Sequence, residues 1–269
     1  MTPRTRPDAL AALQALTATD ESTFDLTAVA ITCALHDDPE RSVAEALTVL
    51  EQLAEAAVGS SAMSLDALTA LIHGTMRFSG DSQTYDDLSN ADMIHVLRQR
   101  KGLPVSLGVI YRHVAKAAGL ELHGIDMPGH FLMRLDGVAG PVFIDPFRGG
   151  MRLGEADLTR LAEAAGHPAL SPTMVEPVSD RRIALRLQNN IWSRARQAGD
   201  WVRAERAAQR RALLLNAPQL QVDHAEALIA LGAYKGARHA LQQARQATTS
   251  GVIDARITAL DALCRTALH

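Results

Sequence analysis

The sequence predicts a mostly helical α+β fold with one small antiparallel sheet. Apolar residues recur at helical spacing between residues 7 and 80, in a segment rich in alanine and leucine. From about residue 86 to 150, glycine, proline and β-forming residues alternate quickly, which is typical of turns and short strands. The helical pattern then returns from residue 181 to the end. These three observations predict helices on both sides of a small sheet.

The composition indicates a folded protein, with room in 269 residues for one large domain or two ordinary ones. Apolar residues at 47% and charged residues at 21% are close to globular averages, which excludes wholesale disorder. A net charge of −3 and only 4% aromatic residues argue against a nucleic-acid partner. No apolar run reaches the ~18 residues of a membrane span, so we expect no membrane partner.

The residues that usually bind metals or form disulfides show no recognisable spacing. Cys33 and Cys264 lie near opposite ends of the chain, so we predict a protein of the reducing cytoplasm. His113, His123 and His130, together with Asp126, match no metal motif. We therefore expect neither a metal nor a cofactor.

Three or four helices are predicted before residue 80. Leu47, Leu50 and Leu53 follow the helical period. Ser22 and Ser64 stand where helices begin, and acidic residues follow closely, where a carboxylate favours the positive end of a helix. Because acidic residues dominate this segment, we interpret it as a solvated helical layer.

Two further helices are predicted in the middle of the chain. Residues 91–100 follow a helical pattern, which the run 101–104 (KGLP) interrupts. The second helix runs from Val105 to Ala118, and Gly119 would end it in a left-handed cap.

Two short strand-like runs follow, at residues 130–135 and 142–145, and form a predicted β-hairpin. Residue types suited to nucleophilic catalysis lie here: Ser106 begins the preceding helix, His130 the first strand, and Asp145 ends the second. His130 and Asp145 share a face of the hairpin only if paired residue numbers sum to an odd value. With that register, the carboxylate holds one imidazole nitrogen and leaves the other facing the helix N-terminus, as a general base requires.

Each of these three residues also has a structural interpretation. A serine at a helix start often caps the helix, and a histidine after proline and glycine often belongs to a turn. An aspartate before proline often begins a turn. A shared site and three separate structural roles therefore remain open as alternatives.

The C-terminal part contains a short internal repeat, which follows a predicted linker rich in glycine and proline. Residues 199–201 (GDW) with Ala204 recur 33 positions later as residues 232–234 (GAY) with Ala237. Small and aromatic residues returning at about this period are typical of stacked tetratricopeptide helix pairs. A pair of ordinary antiparallel helices is the alternative.

A basic segment opens this C-terminal part. Between Arg181 and Arg211 there are nine arginines against two acidic residues, Asp200 and Glu205. We interpret the segment as a solvated helix face, or as one that docks on the acidic N-terminal layer, in preference to a nucleic-acid site.

The middle of the chain resembles a known family. The motifs that carry the resemblance are Asn90, Val96-Leu97, residues 100–107 (RKGLPVSL), residues 128–132 (PGHFL), residues 144–147 (IDPF) and Gly149-Gly150. They look like the SirB-type branch of the transglutaminase-like superfamily, over roughly residues 85–155. A tetratricopeptide-like tail also suits that branch.

The resemblance implies a papain-like core in which a helix-borne nucleophile faces a histidine and an aspartate on neighbouring strands. By motif, Ser106 takes the place of the nucleophile, His130 of the base and Asp145 of the orienting residue. The family uses a cysteine where this chain has Ser106. A serine hydroxyl is a far weaker nucleophile than a thiolate and needs a base in the same step.

Two functions remain open at this stage. The first is a non-catalytic regulatory or interaction scaffold that binds another protein or peptide. The second is a hydrolase or acyl-transferase that acts on amide or ester bonds through Ser106, His130 and Asp145. The predicted organisation is an N-terminal helical layer (1–80), a transglutaminase-like core (81–165), a linker (166–180) and a tetratricopeptide-like helical region (181–269).

Overall fold

The computed structural model describes residue 3 and residues 5–59, 63–138 and 140–268. Over these residues the chain is mostly helical with a small antiparallel sheet, which confirms the predicted composition of the fold. The described residues before 80 form four helices: α1 (Arg6–Thr17), α2 (Leu26–Asp37), α3 (Ala44–Val58) and α4 (Leu65–Thr69), the last continuing as a π-helical turn over Ala70–Thr75.

Local capping explains where the N-terminal helices begin. The Ser64 hydroxyl caps α4 by accepting a hydrogen bond from the Ala67 amide, as its position predicts. Ser22 does not cap α2, because it lies within a 3₁₀ turn, Glu21–Thr23. The Asp25 carboxylate is the cap of α2 and accepts from the Ala28 amide.

Helices α5 (Met93–Gln99) and α6 (Pro104–Ala117) occupy the predicted positions. Gly119 has φ +68°, the left-handed conformation expected after α6. Between the two helices, β2 (Lys101–Gly102) pairs in parallel with β1 (Ser79–Gly80). This short pairing brings the segment that follows β1 to the N-terminus of α6.

The antiparallel sheet has four strands in the order β3 (Leu122–Ile125), β4 (Leu132–Gly137), β5 (Gly140–Asp145) and β6 (Met151–Leu153). The predicted hairpin is β4–β5. The outer strands were not predicted, because three or four residues are too few to show an alternating pattern. His130 was expected to begin a strand but lies in the turn before β4.

Helix α7 (Glu155–Ala164) follows the sheet and leads into the predicted linker. That segment contains a 3₁₀ turn over Pro172–Val175. Beyond it, the Val178 amide donates a hydrogen bond to the Gly124 carbonyl in β3. The connection therefore lies against the edge of the sheet.

Five helices complete the fold: α8 (Asp180–Gln197), α9 (Trp201–Leu214), α10 (Pro218–Ala230), α11 (Tyr234–Ala247) and α12 (Gly251–Ala267). Each packs against the next in sequence. The repeated glycines, Gly199 and Gly232, both adopt the left-handed conformation two residues after the ends of α8 and α10. Trp201 and Tyr234 occupy equivalent places, but they begin the second helix of each pair and do not end the first.

The central core joins these parts. Buried side chains from α1 to α6, one face of the sheet and α8 form a single apolar cluster. A smaller cluster lies between the sheet and α7, and another lies among α10, α11 and α12. Helix α6 is therefore packed between the N-terminal helices, the sheet and α8.

Candidate functional site

Ser106 lies in the first turn of α6, after Leu103 as N-cap and Pro104 as first helical residue. Its side chain is fully buried. The hydroxyl donates a hydrogen bond of 2.6 Å to the backbone carbonyl of Asn90. A Cβ at Gly102 would lie 3.2 Å from the Ser106 Cβ, so the backbone approaches the serine closely. The hydroxyl thus connects α6 to the segment before α5.

The segment 81–92, which carries Asn90, is fixed by its own hydrogen bonds. The Asp81 carboxylate accepts from the Thr84 hydroxyl at 2.6 Å and from the amides of Gln83 and Thr84. These hydrogen bonds, led by that of the Thr84 hydroxyl, hold the pKa of Asp81 below its usual range. The Asn90 side chain donates to the Thr84 carbonyl at 2.6 Å. The Asn90 carbonyl, which accepts the hydrogen bond from Ser106, is therefore held in place.

His130 is half-buried in the turn between β3 and β4, next to Gly129 with φ +75°. Its amide donates to the Met127 carbonyl, as in a turn. Burial lowers the pKa of the imidazole; Asp145 opposes this shift, while Arg148 and Arg186 add to it. The lowered pKa favours the neutral imidazole, which retains a nitrogen lone pair.

Asp145 lies at the end of β5, as predicted, and is buried. Its Oδ1 accepts from the amides of Phe147, at 2.9 Å, and Arg148, at 3.3 Å. The Arg148 Nε lies 3.6 Å from Oδ2. This carboxylate has the contacts of an aspartate that begins a turn.

The sheet register bears on the placement of His130 relative to Asp145. Met133 pairs with Ile144, so paired numbers sum to an odd value, as a shared face for His130 and Asp145 requires. His130 lies outside β4, however, so the register does not fix the face on which it lies. Asp145 is close enough for its charge to affect the pKa of His130. Among the described residues, however, no hydrogen bond joins Ser106, His130 and Asp145 to one another.

A polar network beside Asp145 was not predicted from the sequence. His73 Nδ1 lies 2.7 Å from the Phe78 carbonyl, and His73 Nε2 lies 2.9 Å from the Tyr111 hydroxyl. Because a carbonyl only accepts, Nδ1 carries the proton and Tyr111 donates to Nε2. Burial raises the pKa of Tyr111 to about 12. A Cβ at Gly150 would lie 2.6 Å from this hydroxyl, which accounts for the glycine there.

His113 is one of the histidines considered as metal ligands from the sequence. His113 lies in α6, with Nε2 3.1 Å from the Leu50 carbonyl. Within the described ranges, no group of three histidine, cysteine or acidic side chains is arranged to hold a metal ion. In the same part of the chain, no helix combines the length and apolarity needed to cross a bilayer.

Comparison with known proteins identifies the family. The sequence profile of the transglutaminase-like superfamily matches residues 41–189, from the N-terminal layer to α8. This chain belongs to the transglutaminase-like superfamily. The match includes Ser106, His130 and Asp145, together with the segment that holds the serine.

The relatives of this transglutaminase-like chain include proteins of the UPF0162 group. One from Xylella fastidiosa is 32% identical over 188 residues, covering 67% of this chain and 66% of the relative, just under two thirds of its length. One from Vibrio cholerae is 38% identical over 85 residues, which are 31% of this chain and 32% of the relative.

A human relative shares a shorter region. F-box only protein 21 is 31% identical over 97 residues, which are 33% of this transglutaminase-like chain and 15% of the human protein. No solved structure matches the chain.

Proposed function

We propose that this chain uses its transglutaminase-like core as a non-catalytic scaffold for binding and regulating another protein or peptide. The supporting observation is the hydrogen bond from Ser106 to the Asn90 carbonyl. A nucleophilic serine must hand its proton to a base as it attacks. Here the proton points to a backbone carbonyl, which is not a base at neutral pH, and the side chain has no exposed surface.

The contacts of the other two residues support the same proposal. The Asp145 carboxylate accepts hydrogen bonds from the backbone of its own turn. An orienting aspartate in a catalytic triad would instead accept from the histidine. A serine at the family's cysteine position then serves as a donor that joins the segment 81–92 to α6.

The finer classification is part of the proposal. We assign the chain to the SirB-type branch, with a papain-like core at residues 81–165 and a linker at 166–180. Residues 181–269 form the tetratricopeptide-like region that presents the partner surface. The repeated positions of Gly199 and Gly232 support this assignment.

A Ser-His-Asp hydrolase or acyl-transferase is the second candidate. The lowered pKa of His130 and its proximity to Asp145 favour it, because a general base must be unprotonated. In that case the Ser106 hydroxyl would have to leave Asn90 and turn towards His130 as substrate binds.

A labelling experiment separates the two functions. We expect the wild-type protein not to react with a fluorophosphonate, because the Ser106 hydroxyl is buried. In Ser106→Cys we expect the new thiol to react with a thiol reagent no faster in the native state than the buried Cys33 and Cys264. His130→Ala, as the matched control, should leave these rates unchanged.

Labelling of the wild type that is lost in Ser106→Ala would establish the hydrolase instead. If Ser106→Cys is labelled selectively and this selectivity is lost in His130→Ala, the site has an accessible cleft. That result would contradict the scaffold proposal. Mass spectrometry of the labelled peptides identifies which residue has reacted.

A further inference from the structure

A concave pocket of about 460 Å³ lies where the C-terminal helices meet the segment 81–92. Three arginines line it: Arg186 and Arg194 from α8, and Arg211 from α9. Side-chain amides and a hydroxyl of α8 complete most of the wall. Among the described residues that line the pocket, Asp86 supplies the single carboxylate. The lining is therefore rich in hydrogen-bond donors, while Asp126 and Asp223, just outside it, neutralise two of its arginines.

Unpartnered donors are concentrated at this pocket. In the described part of the chain, five buried side-chain nitrogens lack a hydrogen-bond partner. Three of them belong to residues that line the pocket: Arg194 Nη1, Arg211 Nη1 and Trp192 Nε1. A buried donor without a partner is costly, and native structures rarely leave several together. The nitrogens themselves have almost no exposed surface, so they mark a wall whose donors are not all satisfied and do not by themselves open onto the pocket.

Arg211 is held rigidly at the pocket. Its side chain is 7% exposed, and Nη2 lies 3.0 Å from Asp223 Oδ2. Its Nε donates to Asn189 Oδ1 at 2.6 Å, and the guanidinium lies over the Trp192 ring at 3.9 Å. These contacts fix the plane of the guanidinium before any ligand arrives, so little side-chain entropy is lost on binding.

The other two arginines have weaker partners that an anion can replace. Arg194 Nη2 lies 3.6 Å from Asp86 Oδ1, and the Asp86 side chain is 94% exposed. Such an exposed ion pair contributes little stability. Arg186 pairs with Asp126 at 3.3 Å, with both side chains about one-third exposed. Asp86 thus acts as an exchangeable counter-ion near the pocket.

We propose that this pocket binds the phosphate group of a small molecule. Guanidinium groups donate paired hydrogen bonds that match the oxygens of phosphate. Arg186 and Arg211 keep carboxylate partners outside the pocket lining, so the anion competes mainly with Asp86 for Arg194. The volume falls within the range of small-ligand sites. The site is independent of Ser106, so it does not rest on the proposed function of the core.

Calorimetry at low ionic strength tests the proposal with O-phospho-L-serine, inorganic phosphate, L-serine and succinate as probes. We expect both phosphate compounds to bind, L-serine not to bind, and succinate to bind at least ten-fold more weakly. Tighter binding of phosphoserine than of phosphate would identify a phosphate ester as the ligand. Equal affinities would identify the phosphate group alone as the determinant.

Variants locate the site. Arg194→Met should weaken phosphate binding at least ten-fold, and Asp86→Asn should strengthen it two-fold or more by removing the competing carboxylate. Arg160→Met, which alters an exposed arginine of α7, is the matched control and should bind like the wild type. The proposal is overturned if neither phosphate compound binds, if succinate binds equally well, or if Arg194→Met and Asp86→Asn leave the affinity unchanged in folded protein.

Discussion

Arg210 shows how single residues hold this molecule together. Its side chain has no exposed surface, and it donates to both carboxylate oxygens of Asp37, at 2.9 and 3.1 Å. It also donates to Gln188 Oε1 at 2.6 Å and to the Cys33 carbonyl at 3.3 Å. A buried charge is tolerated only when paired and hydrogen-bonded in this way. One residue of α9 thereby joins α2 and α8.

His36, which lies beside Arg210, should make the free energy of unfolding depend on pH. Burial, with the Arg210 charge next in importance, lowers the pKa of His36 to about 4. The unfolded value is about 6.5, so the unfolded chain binds a proton that the folded chain does not. The free energy of unfolding should therefore fall as the pH decreases from about 6.5 towards 4, by up to ~3 kcal/mol. Urea titrations at several pH values measure this.

The control for this prediction is His36→Gln, which keeps an acceptor for Arg210 but does not titrate. His73 and His130 also have lowered pKa values, so part of the dependence on pH should persist in the variant. Equal slopes for wild type and variant across this pH window would contradict the assignment to His36.

At the scale of elements, the helix pairs depend on glycine at their turns. Gly199 and Gly232 have φ +72° and +71°, a conformation that costs other residues about 1 kcal/mol or more. Nothing lies within 4 Å of a Cβ built at either position. The requirement for glycine there is thus one of backbone conformation and not of space.

Replacing either glycine by alanine should lower the free energy of unfolding by about the same amount. Gly199→Ala and Gly232→Ala should each lower the free energy of unfolding by about 1 kcal/mol, because only backbone strain is added. Gly251→Ala is the matched control: its surroundings are equally open and its φ is not positive, so we expect no loss. Chemical denaturation measures all three. A loss in the control as large as in the other two would exclude this explanation.

At the scale of the whole molecule, the C-terminal helices are part of the central core. Ile183, Leu187 and Ile191 of α8 are buried in the same cluster as α2 and α6. Charged contacts accompany this packing. Arg112 of α6 forms a bidentate ion pair with Asp180, with N–O distances of 2.7 and 2.8 Å. Arg181 Nε lies 3.3 Å from Glu21, so the basic segment contacts the N-terminal layer.

Removal of residues 181–269 should therefore destabilise the fold of the remaining chain. Loss of three buried aliphatic side chains alone costs about 5 kcal/mol, which is comparable to the stability of a whole domain. We expect the shortened chain to aggregate or to bind a hydrophobic dye. Removal of residues 251–269, which affects the separate cluster of α10–α12, is the control and should leave the central core folded. Unchanged solubility and stability without residues 181–269 would mean that the two parts are independent.

The sequence by itself determined the helices around α6, the left-handed Gly119 and the β4–β5 hairpin, because each depends on periodicity and turn chemistry within a few residues. It also identified the family motifs around Ser106. The tertiary structure decided that Ser106 donates to Asn90, 16 residues earlier in the chain, and that β3 and β6 complete the sheet. It also brought Arg194 and Arg211 to one pocket. These features depend on which distant segments pack together, and neither residue type nor local spacing specifies that choice.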